Sequence, residues 1–243
     1  MKIQRPSGSL MLLAFGIAAC DATGPGDALD LQLNEDVAMV AADAALDDLA
    51  QMGIATGVAS FDGAAVPHTR SRIVTYYEDD VETAAYNPLT TDSIHIEVVI
   101  SGAVERERWS ASVERTRSLM VTGLEGEETT RIWNGTATGD VSRSRHIEGE
   151  VERSYDMSAT GEIANVVRGV PREENPWPLS GTITRHVIVD IVNGPNGDET
   201  RERTVVIEFN GTQHVTLSVN GEEFELDLAA RDRERPFRKR FGS

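Results

Sequence analysis

The run SGTITRHVIVDIVNGPNGDETRERTVVIEFNGTQHVTLSVNGEEFELDL, residues 180–228, decides the fold. Apolar side chains fall on every second position in four groups: Ile183, Val187, Val189 and Ile191; Val205, Ile207 and Phe209; Val215, Leu217 and Val219; Phe224, Leu226 and Leu228. A period of two sends alternate side chains to opposite faces, so each group reads as a strand with one apolar face. Asn210-Gly211 and Asn220-Gly221 separate the last three groups. Both central positions of a type I′ turn need positive φ, which Asn and Gly tolerate, so the two pairs predict tight turns and the whole segment an antiparallel meander.

The same period extends back to Arg70. Ile94, Ile96, Val98 and Ile100 alternate with mostly polar neighbours, as do Trp109, Ala111 and Val113, and then Ile147, Val151, Tyr155, Met157 and Ile163. Residues 166–178, with Pro171, Pro176 and Pro178, interrupt the alternation, because proline cannot donate to a strand ladder. The expected fold is all-β: an antiparallel meander forming an open curved sheet or a partly closed barrel. Ahead of it stands one amphipathic helix, residues 34–53. Asn34 caps it, Glu35 and Asp36 sit in its first turn at the positive end of the helix dipole, and Gly53 ends it. Met39, Ala42, Leu46 and Leu49 recur at helical spacing, while Asp36, Asp43 and Asp47 fall on the other side.

The first 20 residues carry an address. Lys2 and Arg5 form a positive n-region, Leu10 to Ile17 a short apolar run, and Ile17-Ala18-Ala19-Cys20 places small residues before the only cysteine in the chain. This stretch resembles the signal peptide and lipobox of bacterial lipoproteins. The resemblance implies cleavage after residue 19, a diacylglycerol on the Cys20 thiol, and anchoring to the outer or inner membrane of the cell envelope with the domain in the periplasm. At about 0.8 kcal/mol per buried methylene, two or more acyl chains hold a protein stably on a membrane. The apolar run itself is shorter than the roughly 20 residues that a spanning helix needs. Residues 20–33, which include Gly24-Pro25-Gly26, read as a tether. The domain would occupy residues 34–230, and residues 231–243, rich in Arg231, Arg233, Arg235, Arg238, Lys239 and Arg240, a basic C-terminal tail. In layout the chain resembles β-rich lipoproteins of GC-rich Gram-negative bacteria, a likeness that carries no activity with it.

Charge narrows the partners. The chain has 23 basic and 40 acidic side chains, and loss of residues 1–19 would lower the basic count to 21 for a net of −19. Such a chain is a poor ligand for nucleic acid, and contact with the membrane is expected through the lipid alone. Aromatic residues make up 5% of the chain and form no girdles, so an integral outer-membrane barrel is not expected.

Catalytic and metal-binding patterns are missing: there is no His-Glu-x-x-His, Gly-x-Ser-x-Gly, Cys-x-x-Cys or phosphate-binding Gly-x-x-x-x-Gly-Lys. His68, His95, His146, His186 and His214 are scattered and read as strand residues facing solvent. The acidic run Glu78, Asp79, Asp80, Glu82 and the group Asn193, Asn196, Asp198, Glu199 follow no calcium-loop spacing and read as a solvated loop and a hairpin tip. No metal or cofactor is expected, and no enzymatic activity.

One pattern stands apart. From residue 131 to 163 the apolar parity also carries Arg131, Arg143, Arg145 and Arg153, together with Trp133, Val151, Tyr155, Met157 and several small residues. Arg115, Arg117, Arg185, Arg201 and Arg203 continue the apolar parity of their own strands. Glu148, Glu150, Glu152, Asp156 and Glu162 take the other parity. Guanidinium forks over an apolar floor suit an anionic amphiphile; arginines at strand ends reaching along their stems to solvent would give the same parity. The candidate ligand-binding residues are Arg143, Arg145, Arg153, Tyr155 and Trp133. Two functions are therefore expected: a non-enzymatic envelope lipoprotein that presents its β-surface to an envelope protein, or a carrier of a lipid-like anion on the concave sheet face.

Overall fold

The computed structural model describes residues 68–106, 109–145, 153–194, 197–229 and 237–239. Every regular element among them is a strand: β1 (His68–Glu78), β2 (Val81–Thr83), β3 (Ser93–Arg106), β4 (Trp109–Thr122), β5 (Thr130–Arg145), β6 (Arg153–Gly169), β7 (Pro178–Gly194), β8 (Gly197–Glu208), β9 (His214–Val219), β10 (Glu222–Asp227) and β11 (Phe237–Lys239). They form one antiparallel sheet in the order β11-β10-β9-β8-β7-β6-β5-β4-β3-β1-β2. Of the two expected forms the sheet takes the open one, since no pairing among the described residues joins its β2 side to its β11 side. The terminal strands are too short to seal a barrel, at three residues each. The expected helix over 34–53, the tether and Cys20 lie outside the described residues.

Alternation settles the faces. The inner face carries Ile96, Val98, Leu119, Val121, Trp133, Ile163, Ile183, Val187, Val205, Ile207, Leu217 and Phe224, all buried, while the intervening residues are mostly exposed. The buried apolar residues form one cluster that runs from β3 to β10, with the short strands β9 and β10 joined to it through β8. Register preserves the face across the β5–β6 hairpin, because odd-numbered residues meet odd-numbered residues from Gly135↔Ile163 to Arg145↔Arg153. A bulge then shifts it: Trp133 pairs with Val166, Asn165 takes φ 50°, and its N–H donates to Asn134 Oδ1 at 2.8 Å. This extra residue lets Val166 turn inward and be fully buried, so the strand runs on to Gly169 where alternation alone ends it before residue 166.

Turn chemistry divides the two Asn-Gly pairs. Asn220 and Gly221 have φ 48° and 86° and close a two-residue turn between Val219 and Glu222, as expected. Asn210-Gly211 instead belongs to a five-residue connection between Glu208 and His214. There Thr212 donates its N–H and its hydroxyl to Asn210 Oδ1, and Asn210 Nδ2 donates to the His214 carbonyl. Gly211 N–H donates to the Pro178 carbonyl at 2.9 Å, so the loop is tied to the start of β7 and is not the tight turn that the dipeptide predicts. The acidic pair Asp79-Asp80 takes φ 51° and 63° and turns the chain between β1 and β2. Within the basic C-terminal segment, expected as a frayed tail, Phe237–Lys239 pair with Leu226, Glu225 and Phe224 as the edge strand β11.

Candidate functional site

Register assembles the inner-face arginines into rows. Across β4, β5, β6 and β7 one row reads Arg117, Ala137, Gly161, Arg185, and the next reads Arg115, Gly139, Ala159, Val187. The two central strands thus offer only Ala and Gly, while arginines stand on both flanks. Arg117 and Arg185 are 3% and 4% exposed, and Arg115 is half-buried. Glycine explains where they lie. Arg115 Cγ is 3.4 Å from the place a Cβ at Gly139 would take, and Arg185 Cγ and Nη1 are 3.4 and 3.5 Å from that of Gly161. The two side chains therefore lie flat over the neighbouring strand and converge from opposite sides on the small-residue patch. The cavity left between Arg115, Arg117, Arg185, Gly139, Ala159 and Met157 is about 20 Å³, the space of a single water.

The expected ligand residues distribute unevenly. Arg143 stands directly opposite Tyr155, and Arg145 opposite Arg153, at the far end of β5 and β6. Tyr155 is 39% exposed there. Trp133 is ten residues up β5, about 33 Å away at strand rise, buried in the apolar core with its Nε1 lacking a hydrogen-bond partner among the described residues. The structure thus brings four of the five together and leaves Trp133 apart. Among the described residues the deeply buried cations are Arg117 and Arg185, which parity placed on the same face without marking them as central. The signal that distinguishes them is the Ala and Gly directly across the neighbouring strands, readable only once the register is known.

Two other groups of arginines are paired. Arg131 Nε donates to Glu128 Oε2 at 2.7 Å, and Tyr86 Oη donates to the other oxygen at 3.0 Å. Burial, and after it the hydrogen bond to Glu128, raises the Tyr86 phenol above its ordinary pKa. Arg168 is directly opposite Arg131; burial first, then the like charges of Arg172 and Arg131, lower its pKa. Arg201 donates through Nε and Nη2 to Glu199 Oε2, at 3.0 and 2.8 Å.

The outer face is acidic and hydroxylated. Glu114 is directly opposite Asp140, and Asp156 directly opposite Asp190, along a groove of about 500 Å³. Ser142 and Thr200 hydroxyls donate to Asp156 and Asp190. Among the described residues no group of three His, Cys, Asp or Glu side chains is disposed to hold a metal ion. The histidines are dispersed: His95 Nε2 is 2.8 Å from Ser118 Oγ, His186 Nδ1 3.3 Å from Thr204 Oγ1, and His214 Nδ1 3.7 Å from Glu225.

The third surface is an edge. β2 pairs only with Tyr76, Tyr77 and Glu78 of β1, so among the described residues the outer side of β1 from His68 to Thr75 has no partner strand. Ile73 is 59% exposed on that edge, and Val99, 43% exposed, lies on the same outer face on the adjacent strand. Arg70 and Arg72 take the inner parity. No helix among the described residues is long and apolar enough to cross a membrane. Comparison of the chain with protein-family models, with curated proteins and with solved structures finds no match.

Proposed function

We propose that this protein is a non-enzymatic lipoprotein of the cell envelope, held by a lipidated Cys20 to the outer or inner membrane, whose periplasmic β-sheet docks an envelope protein along the free edge of β1. The observation that carries the reading is that edge: eight residues of β1, His68 to Thr75, have no partner strand among the described residues, and with an exposed isoleucine they offer a row of backbone donors and acceptors to which a partner can add a strand. A photo-crosslinking residue placed at Ile73 in envelopes of the native host tests it. An adduct of one defined mass, absent with the same residue at the exposed loop position Leu89 and lost in Thr75→Pro or Val74→Pro, is the expected result. Identical adducts at both positions, or none at Ile73, would refute edge docking.

A second reading, a binding protein for a small anionic amphiphile, is favoured by the convergence of Arg115 over Gly139 and Arg185 over Gly161, with Arg117 lining the same small cavity. Native mass spectrometry of the domain purified from its own envelope separates the two, since the carrier reading requires a co-purified ligand and the docking reading does not.

A further inference from the structure

The loop from β2 to β3 has its polarity inverted. Residues Ala84 to Leu89 are all exposed, and every one of them except Asn87 is apolar or aromatic. Leu89 is 82% exposed, and Val81, on the strand that leads into the loop, 65%. The polar groups are turned back on the loop itself. Asn87 Oδ1 accepts the Leu89 N–H at 3.0 Å, the Asn87 N–H donates to Thr91 Oγ1 at 2.9 Å, and the Asn87 carbonyl accepts from the Thr90 and Thr91 N–H groups at 3.2 and 2.9 Å. Thr91, which closes the loop, is buried. Tyr86 is fixed from two sides, by the Tyr76 ring with centroids 6.0 Å apart and by its hydrogen bond to Glu128 at 3.0 Å. We propose that residues 84–89 are a preorganised anchor for a protein partner whose apolar cleft is rimmed by lysine or arginine, distinct from the partner that takes the β1 edge. The inference goes beyond the function proposed above and does not depend on it.

Rigidity is the first argument. Binding costs the ordering of loops and side chains, and a loop already closed by these bonds is ordered before it meets a partner. Composition is the second. An exposed cluster of large apolar and aromatic groups within a polar rim is the anatomy of a docking surface, in which a few such side chains seated in a pocket carry most of the binding energy. Charge is the third, and it selects the occupant. Asp79, Asp80, Glu82, Glu125 and Glu127 are exposed on the segments that adjoin the loop. Those segments are tied to it, since the Asp79 N–H donates to Oδ2 of Asp92, next to Thr91, and Glu128 holds Tyr86. Residues 73–105 and 118–130 contain no lysine or arginine, and Glu128 is 2.7 Å from the next cation, Arg131. A second copy would bring the same acids, and an anionic membrane surface the same sign of charge, so both are repelled, whereas a basic rim is attracted. The β1 edge from His68 to Thr75 carries two arginines and no acid, which separates its partner from this one.

Photo-crosslinking in cells of the native host tests the anchor, with the full chain carrying the crosslinking residue at Ala85. The expected result is a protein adduct of one mass whose yield falls at least about tenfold in Leu89→Ser. In Asp80→Asn with Glu82→Gln it falls about two- to fivefold. In Glu162→Gln with Glu208→Gln, exposed acids elsewhere on the sheet, it stays at the wild-type level. All these substitutions are on the surface and leave the unfolding midpoint near that of wild type, which separates loss of binding from loss of fold. An adduct indifferent to Leu89→Ser, an equal fall with the distant acids, adducts only to lipid or to a second copy of the chain, or no adduct at all overturns the proposal.

Discussion

Arg185 lies across Gly161, its Cγ and Nη1 at 3.4 and 3.5 Å from the position a Cβ would occupy there. An alanine methyl at 161 makes ordinary contacts with the arginine, so Gly161→Ala is expected to change stability by less than about 1 kcal/mol, whereas Gly161→Val crowds the buried guanidinium and costs about 1–3 kcal/mol. Gly135 gives the contrast. A Cβ there would stand 2.2 Å from the Ser118 carbonyl oxygen, a backbone atom that cannot move aside, so Gly135→Ala costs more than Gly161→Ala. Denaturant unfolding of the three variants measures the order.

Asn220 holds φ 48° in the two-residue turn that joins β9 and β10. Alanine adopts that conformation at a cost of about 1–2 kcal/mol, and glycine at little. Both substitutions remove the hydrogen bond that Asn220 Oδ1 accepts from the Thr204 N–H at 2.8 Å, and alanine adds the cost of the positive φ, so Asn220→Ala should lower the unfolding midpoint more than Asn220→Gly does. At Asn210, whose φ is not positive, a loss on Asn210→Ala would come from the side-chain bonds to Thr212 and His214, and Asn210→Gly should lose as much as alanine does.

Leu217, Phe224 and Leu226 have no exposed surface, while Ser218, between Leu217 and Val219 on β9, faces the other side. Truncation of each large side chain to alanine should destabilise by about 2–5 kcal/mol. Ser218→Ala should stay within about 0.5 kcal/mol. Chemical denaturation of the four variants reads the faces directly, and a reversed order would mean that the sheet is inside out.

Tyr86 has its pKa raised by burial and by the hydrogen bond it donates to Glu128. Because the folded value lies above the unfolded one, the phenol's contribution to stability is present below about pH 10 and is lost as the pH rises through the folded value. Tyr86→Phe should flatten the decline of stability above pH 10.

The strands of residues 180–228 were legible because period and turn residues agreed, and the inner-face arginines because parity survives a hairpin of odd length. What alternation could not give was register. It assigns Arg115, Arg117 and Arg185 to one face alike, but which residues of the neighbouring strands come to stand beside each of them depends on the register. Nor could it anticipate the bulge at Asn165, where one extra residue carries Val166 into the core. At Asn210-Gly211 the local dipeptide signal was outweighed by Thr212 and by the tie to Pro178. Trp133, grouped with the arginines by parity, sits ten residues along the same strand from Arg143, a separation that parity does not measure.

The claim on which the proposed function rests most heavily is the lipid on Cys20, since it fixes the compartment in which any partner is met. Radiolabelled palmitate fed to cells that express the wild-type chain and Cys20→Ala tests it. The account predicts label and membrane association for wild type and neither for the variant; equal labelling of both chains, or none in either, would contradict it.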